Sequence, residues 1–255
     1  MSSKETKDPA VLAPPAAPEP LDYNLADYNY DISPEDVAAP RIRLLQPTRR
    51  DNRFDNVPSG HWVSLVTGED LGERIHVVVV GSQSSRARFA PIDQGGDLLC
   101  RAPDGRNGIG DPGGPCNVCP FAEWHGKTPP ECAQAFNYFV LAANPDGTVE
   151  IPEVPVPSIL RLSRSAMGEA KRWNWYLRSH KPPFGIVYEV ASVKTRAPKG
   201  AEYYAPRVRI AARVTDPATL RGLDAIAKEI RNVAIRALSE DPEEAEHDAA
   251  DETPF

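Results

Sequence analysis

Apolar and polar positions change period several times along this chain, and each change marks an element. Residues 60–66 and 73–81 flank the turn-rich Thr67-Gly-Glu-Asp-Leu-Gly72, which predicts a β-hairpin with 75–80 as a buried strand. A third short strand is predicted at 86–90, and further strands at 135–142 and around 158–162. From about residue 165 to 179 the period turns helical, with Ala166, Ala170, Trp173 and Leu177 as the inner stripe. Lys181-Pro-Pro-Phe-Gly185 stops that helix. Two more strands, 185–193 and 203–214, enclose the basic turn Lys194-Thr-Arg-Ala-Pro-Lys-Gly200. Asp216-Pro217 then supplies an N-cap and a first helical residue. Leu220, Leu223, Ile226, Ile230, Val233 and Leu238 line the helix that follows.

This order reads as mainly β with two helices. It fits an oligonucleotide-binding (OB) fold, a five-stranded Greek-key barrel with its helix between strands three and four. Here the barrel carries an insertion at 91–133 and a C-terminal helix. The ordered body is expected over 40–239. Residues 1–39 are rich in Pro and Ala without a sustained period, and 240–255 are acidic, so both are expected to be disordered.

Charge divides the chain in the same places. The whole carries −7, but residues 1–40 net −6 and 240–255 net −8, which leaves +7 on 41–239. A basic body between acidic ends suits a nucleic-acid binder whose tail recruits partners; a solvated surface with charged ends is the plain alternative. No apolar run approaches membrane-spanning length, the longest being Val77 to Val80. Residues 1–21 lack the basic start and apolar centre of a signal peptide. A cytoplasmic protein, in a host cell if phage-encoded, is the expectation.

All four cysteines fall in the Gly/Pro-rich insertion, spaced Cys100-x15-Cys116-x2-Cys119-x12-Cys132. The C-x2-C pair puts two sulfurs on one turn, and four thiolates suit one Zn²⁺. Two disulfides, or four unligated thiols, are the alternatives. A closed four-sulfur site has no open coordination position, so such a zinc is structural and would pin a segment with little to bury. His125 is a possible substitute ligand. No phosphate loop and no His/acid cluster with two-metal spacing is present, so an enzyme such as a nuclease is not expected.

The 203–214 strand alternates, with Tyr204, Val208, Ile210, Ala212 and Val214 on one face and Tyr203, Arg207, Arg209 and Arg213 on the other. Guanidiniums grip phosphates and aromatics stack bases, so the second row is a candidate nucleic-acid contact. Arg41, Arg43, Arg49, Arg50 and Arg53 crowd the start of the body, followed by Phe54 and Trp62. Arg41, Arg43 and Trp62 join Tyr203, Arg207, Arg209 and Arg213 as the candidate contacts. Trp173 and Trp175 point to different sides of the first helix, Trp173 to the core. Phe136 and Tyr138 share a strand face and are expected to pack inward.

The chain ends Asp248-Ala-Ala-Asp-Glu-Thr-Pro-Phe255, an acidic tether with one apolar anchor. A solubilising tail is the plain alternative. This tip resembles the C-terminal tip of bacterial single-stranded DNA-binding proteins. The resemblance implies that Asp251, Glu252, Pro254 and Phe255 dock on replication or recombination proteins. Pro40-Arg-Ile-Arg-Leu-Leu-Gln46, the 60–81 hairpin, and Cys116-Asn-Val-Cys-Pro-Phe-Ala-Glu-Trp124 through Cys132 resemble phage-encoded single-stranded DNA-binding proteins with a zinc-bearing barrel. That family implies an OB fold, one structural zinc, and non-catalytic coating of single strands in replication or recombination, with possible self-association on DNA. The T-even phage replication protein is a distant analogue. Four cysteines replace its one His and three Cys, and an acidic N-terminus replaces its basic cooperativity segment, so cooperative growth does not carry over. The competing class is a zinc-ribbon adaptor or transcription regulator that binds protein or duplex DNA.

Overall fold

Val77 to Val80 lie within the longest strand, β4 (Arg74–Phe89), whose sixteen residues decide the layout of the sheet. At about 3.3 Å per residue such a strand runs about 50 Å, more than one layer of neighbours can cover. Its start pairs with β10 (Ile186–Arg196). Its far end pairs with β5 (Leu98–Ala102), and β8 (Cys132–Ala142) follows it from Val77 to Arg88. The short strand predicted at 86–90 is therefore the far end of β4, reached past a bulge between Val79 and Gly81. The computed structural model describes residues 40–47, 52–126, 128–152, 155–197 and 200–239. The expected disordered ends, with the tip Asp251, Glu252, Pro254 and Phe255, lie outside the described residues, as do Arg49 and Arg50.

β8 continues to β9 (Ser158–Ser163) and then, in parallel, to β1 (Arg41–Leu44). β1 in turn pairs with β2 (Trp62–Ser64), and β2 with β3 (Asp70–Gly72). On the other side β10 pairs with β11 (Glu202–Arg213). β6 (Asn107–Gly110) and β7 (Gly114–Pro115) extend the sheet beyond β5. Helices α1 (Met167–Ser179) and α2 (Pro217–Ser239) stand where the helical periods predict them. The protein is mainly β with two helices and an open, mixed sheet. The expected five-stranded closed barrel is not what forms. Among the described residues no ladder joins β11 to β1 or β9, because β1 spends one edge on β2 and the other on β9.

Both faces of the sheet are covered, which explains the unbroken valine run of β4. Val77 and Val79 face an inner core with Tyr138, Val140, Leu160, Tyr188, Val190 and Val208. Trp173 of α1 plugs that core and stacks on Tyr138 at 4.1 Å. The Tyr138 hydroxyl donates to Ala170 O and Asn174 Oδ1, and burial raises its pKa. Val78 and Val80 face the other way with Phe139, Leu141, Ile159 and Val187, under Leu223 and Ile226 of α2. Asp216 Oδ2 accepts the Thr219 N–H at 2.7 Å, the N-cap expected for α2.

The open edge of β11 is satisfied by side chains in place of a strand. Gln46 Nε2 donates to Tyr204 O, and Gln46 Oε1 accepts the Tyr204 N–H, both at 2.9 Å. Two residues on, Pro206 has no N–H to satisfy, which is where an edge strand tolerates proline. Two further on, Glu169 Oε1 of α1 accepts the Val208 N–H at 2.5 Å, and Arg172 donates to Val208 O at 2.8 Å. Glu169 is itself buried and paired with Arg172 at 2.5 Å. Truncating it leaves the Val208 amide without its acceptor. Glu169→Ala should lower stability by about 2 kcal/mol in urea unfolding, chiefly from the unsatisfied Val208 amide, since Arg172 is half exposed to water. Glu169→Gln keeps an acceptor for Val208 and should cost about half as much; losses under about 1 kcal/mol for both would show that the edge is held by other means.

Candidate nucleic-acid interface and cysteine cluster

Because β11 stops short of β1, a cleft of about 180 Å³ opens between them, bounded by β9 and the start of α1. Alternation on β1 turns Ile42 and Leu44 toward the inner core, so Arg41 and Arg43 take the outer face. Both line the cleft with Arg161 of β9, and Tyr204 and Pro206 form the opposite wall. Asn137 pairs across the sheet with Arg161, donates to Ser85 Oγ at 2.9 Å and is fully buried. Arg43 and Arg53 each reach the Phe54 ring at 5.8 Å. Tyr204 is held by close packing: Gly60 has φ +93°, and a Cβ there would collide with the tyrosine ring.

The candidate contacts named from the sequence fall into separate places. Arg41 and Arg43 come together with Arg161, which the sequence reading missed. Trp62 is corrected: it is 2% exposed and belongs to the inner core, because its register partner Leu44 faces inward. Its ring forms part of the cleft wall without an exposed stacking face. Tyr203 is half-buried at the start of β11. Arg207, Arg209 and Arg213 are exposed as expected, but the cleft includes none of them. Ile210 is 39% exposed, and the bulge that follows it, opposite Val187/Tyr188, moves Ala212 and Val214 to the other core from Val208.

Two of the exposed β11 arginines, Arg207 and Arg209, lie against acids that sequence reading missed. Arg209 meets Glu189 at 2.7 Å, and Arg74 and His76 approach the same carboxylate at 3.4 and 3.5 Å. Burial alone would raise the Glu189 pKa; the Arg209 hydrogen bond and the surrounding positive charge outweigh it and hold the carboxyl below its ordinary value. Its pairs with Arg74 and Arg209 are therefore intact above the ordinary carboxylate range and are lost as pH falls through the depressed value. Arg207 lies 3.7 Å from Glu169. Lone acids inside apolar stretches, such as Tyr188-Glu189-Val190, were the available signal.

The cysteines converge. On β4, Arg88 is the register partner of both Cys100 of β5 and Cys132 of β8, so the two thiols flank one strand. Cys116 and Cys119 share a tight turn, with the Cys119 N–H donating to Cys116 O at 3.4 Å. All four are free thiols lining one cavity of about 10 Å³ with Arg86. Gly108 permits the approach, since a Cβ there would sit 2.8 Å from Cys100 Sγ. Burial raises the Cys116 and Cys132 thiols; Arg86 pulls them back and the neighbouring thiols push further. His125 lies outside this cavity, its Nε2 3.2 Å from Pro120 O. Among the described residues, no group of three or more His, Cys, Asp or Glu side chains is arranged to hold a metal ion as it stands. The donor chemistry and the atom-sized enclosure fit one zinc, and the sulfurs would have to draw together around it. No described helix is long and apolar enough to cross a membrane.

A family model described as Pam3 phage gp34-like protein matches residues 8–233. No curated protein and no solved structure matches the chain. The family match takes in the sheet, the cysteine segment and most of both helices. The chain belongs to the Pam3 phage gp34-like protein family.

Proposed function

We propose that the protein binds single-stranded DNA during phage replication or recombination and performs no chemistry on it. The observation that carries this reading is the cleft, which gathers Arg41, Arg43 and Arg161 with Tyr204 in its walls. The sheet order supports it. Read along the chain, β4, β8, β9, α1, β10 and β11 pair as β9-β8-β4-β10-β11, the connectivity of an OB fold with its helix between strands three and four. OB folds bind oligonucleotides on the face of strands two and three, flanked by the first and fourth loops. Of these, the third strand is β9, which lines the cleft through Ile159, Arg161 and Leu162. Titration of a labelled oligonucleotide should show preference for single strand over duplex. Equal affinity for both would end this reading.

A second reading, a cysteine-ribbon adaptor, draws on Ile109, Val118 and Trp124, which are 60%, 69% and 64% exposed on the cysteine segment. Such a surface suits a protein partner. It predicts no strand preference in the same titration.

Each phosphate neutralised on a single strand adds about −0.7 to the slope of log K against log salt. Arg41→Ala with Arg43→Ala should therefore flatten the slope by about 1.4 and weaken binding. Arg207→Ala with Arg209→Ala should change it less, because neither guanidinium lines the cleft. An unchanged slope in the first pair would remove the cleft from the interface.

For the cysteines, we expect one equivalent of structural zinc on Cys100, Cys116, Cys119 and Cys132. Metal analysis after desalting should find it in the wild type and lose it in Cys116→Ser with Cys119→Ser. A folded, metal-free wild type would contradict the assignment. Loss of the ion should raise hydrogen exchange across 91–133 first.

Residues 240–255 carry eight acids, which compete with phosphate for a basic groove. Deleting them should strengthen single-strand binding, most at low salt. Deleting Phe255 alone keeps every acid, so DNA affinity should hold while capture of a replication or recombination enzyme fails. Retained capture would reduce the tail to an electrostatic brush.

A further inference from the structure

Helix α1 buries Ala170 and Trp173 against the inner core and turns a second stripe outward. Gly168, Lys171, Arg172, Trp175, Arg178 and Ser179 are all exposed and recur every three or four residues, so they share one face. From Gly168 to Arg178 that face runs about 15 Å at 1.5 Å per residue. It carries three cations and no acid, since the one acid of the helix, Glu169, is buried against β11. At its centre Trp175 is 63% exposed. The indole is steadied edge-on by Tyr176 at 5.6 Å, with its outer side open. Lys171 stands four residues before it and Arg178 three after, so the ring lies between two cations, and neither forms an ion pair among the described residues.

This chemistry selects among partners. A membrane surface or an apolar peptide would need more apolar side chains beside Trp175, and the stripe has none. A duplex keeps its bases stacked and offers the ring no face. An unpaired base supplies a π-face, and its strand supplies phosphates on either side. We infer that the outer face of α1 is a second contact for single-stranded nucleic acid, in which Trp175 stacks one unpaired base while Lys171 and Arg178 take the flanking phosphates. The inference rests on the single-strand reading above and extends its footprint. The cleft reaches Ser165 and Ala166, the two residues before α1, and so adjoins the end of the helix that carries this stripe. Arg172 ties the stripe to β11 through Glu169 and Val208 O, and Arg207 reaches the same carboxylate.

Length dependence separates the two contacts. Full-length protein is titrated by anisotropy with oligothymidylates of about 5 and about 15 nucleotides, near the two ends of the site sizes seen for one OB fold. Trp175→Ala should weaken binding of the longer strand about tenfold and leave the shorter unchanged, whereas Trp175→Phe keeps most of the longer strand's affinity. Lys171→Ala with Arg178→Ala should reduce the salt slope by about 1.4 on the longer strand only. Trp175 is exposed, so the variants should fold, and near-ultraviolet circular dichroism checks this. If Trp175→Ala binds both strands as the wild type does while Arg41→Ala with Arg43→Ala does not, the second contact is wrong and the cleft stands. If Trp175→Ala weakens both strands equally, Trp175 does not form a separate contact. If the wild type binds neither strand, the single-strand reading itself fails.

Discussion

A strand at the edge of a sheet presents amides and carbonyls that must be satisfied, and β11 meets that constraint without a neighbouring strand. β1 is the strand that could have closed the sheet, but both its edges are taken by β2 and β9. Side chains supply the missing partners: Gln46 at Tyr204, then Glu169 and Arg172 at Val208, with Pro206 between them needing no acceptor. Side chains fill less space than a backbone ladder. The space left over is the cleft, and Arg41, Arg43 and Arg161 line it because β1 lies parallel beside β9. The same staple fixes α1 against β11, which sets the angle at which its outer stripe faces solvent.

The second organising feature is the length of β4. Its apolar start builds both cores, while its polar end, from Gln83 to Arg88, projects past them. There it pairs with β5 and β8 and so carries Cys100 and Cys132 on either side of Arg88. A Gly/Pro-rich segment with few apolar side chains gains a fixed platform in this way, and the four thiols come within one small enclosure. Burial and the neighbouring thiols disfavour the thiolate at Cys116 and Cys132, so a cation of high affinity for sulfur would lower the free energy of this arrangement.

Much of the architecture was legible because it rests on local periodicity. Both helices, the Asp216 N-cap, and strands β8, β9, β10 and β11 follow from spacing alone. What escaped depends on distant pairing. β5, β6 and β7 have no local apolar pattern and form because β4 offers an edge. β1 is four residues long, and Arg41-Ile-Arg-Leu44 reads as a basic cluster until its alternation is noticed. Pro206 was a legible sign that β11 is an edge strand, and that sign already argued against closure. At the site, cation clusters were visible as types but not as surfaces. Arg161 joins Arg41 and Arg43 only through the β1–β9 pairing, Trp62 leaves the surface through its register with Leu44, and the bulge at Ala211 has no local marker.

The central claim is that a single strand lies in the cleft between β1 and β11. Hydrogen exchange of the full-length protein with and without an oligothymidylate tests it most directly, since it reports where the backbone is protected. The account predicts new protection in β1, in β9 around Arg161, and in β11 from Tyr203 to Ala205, with β6 and β7 unchanged. Protection confined to the cysteine segment, or none anywhere at saturating oligonucleotide, would contradict it.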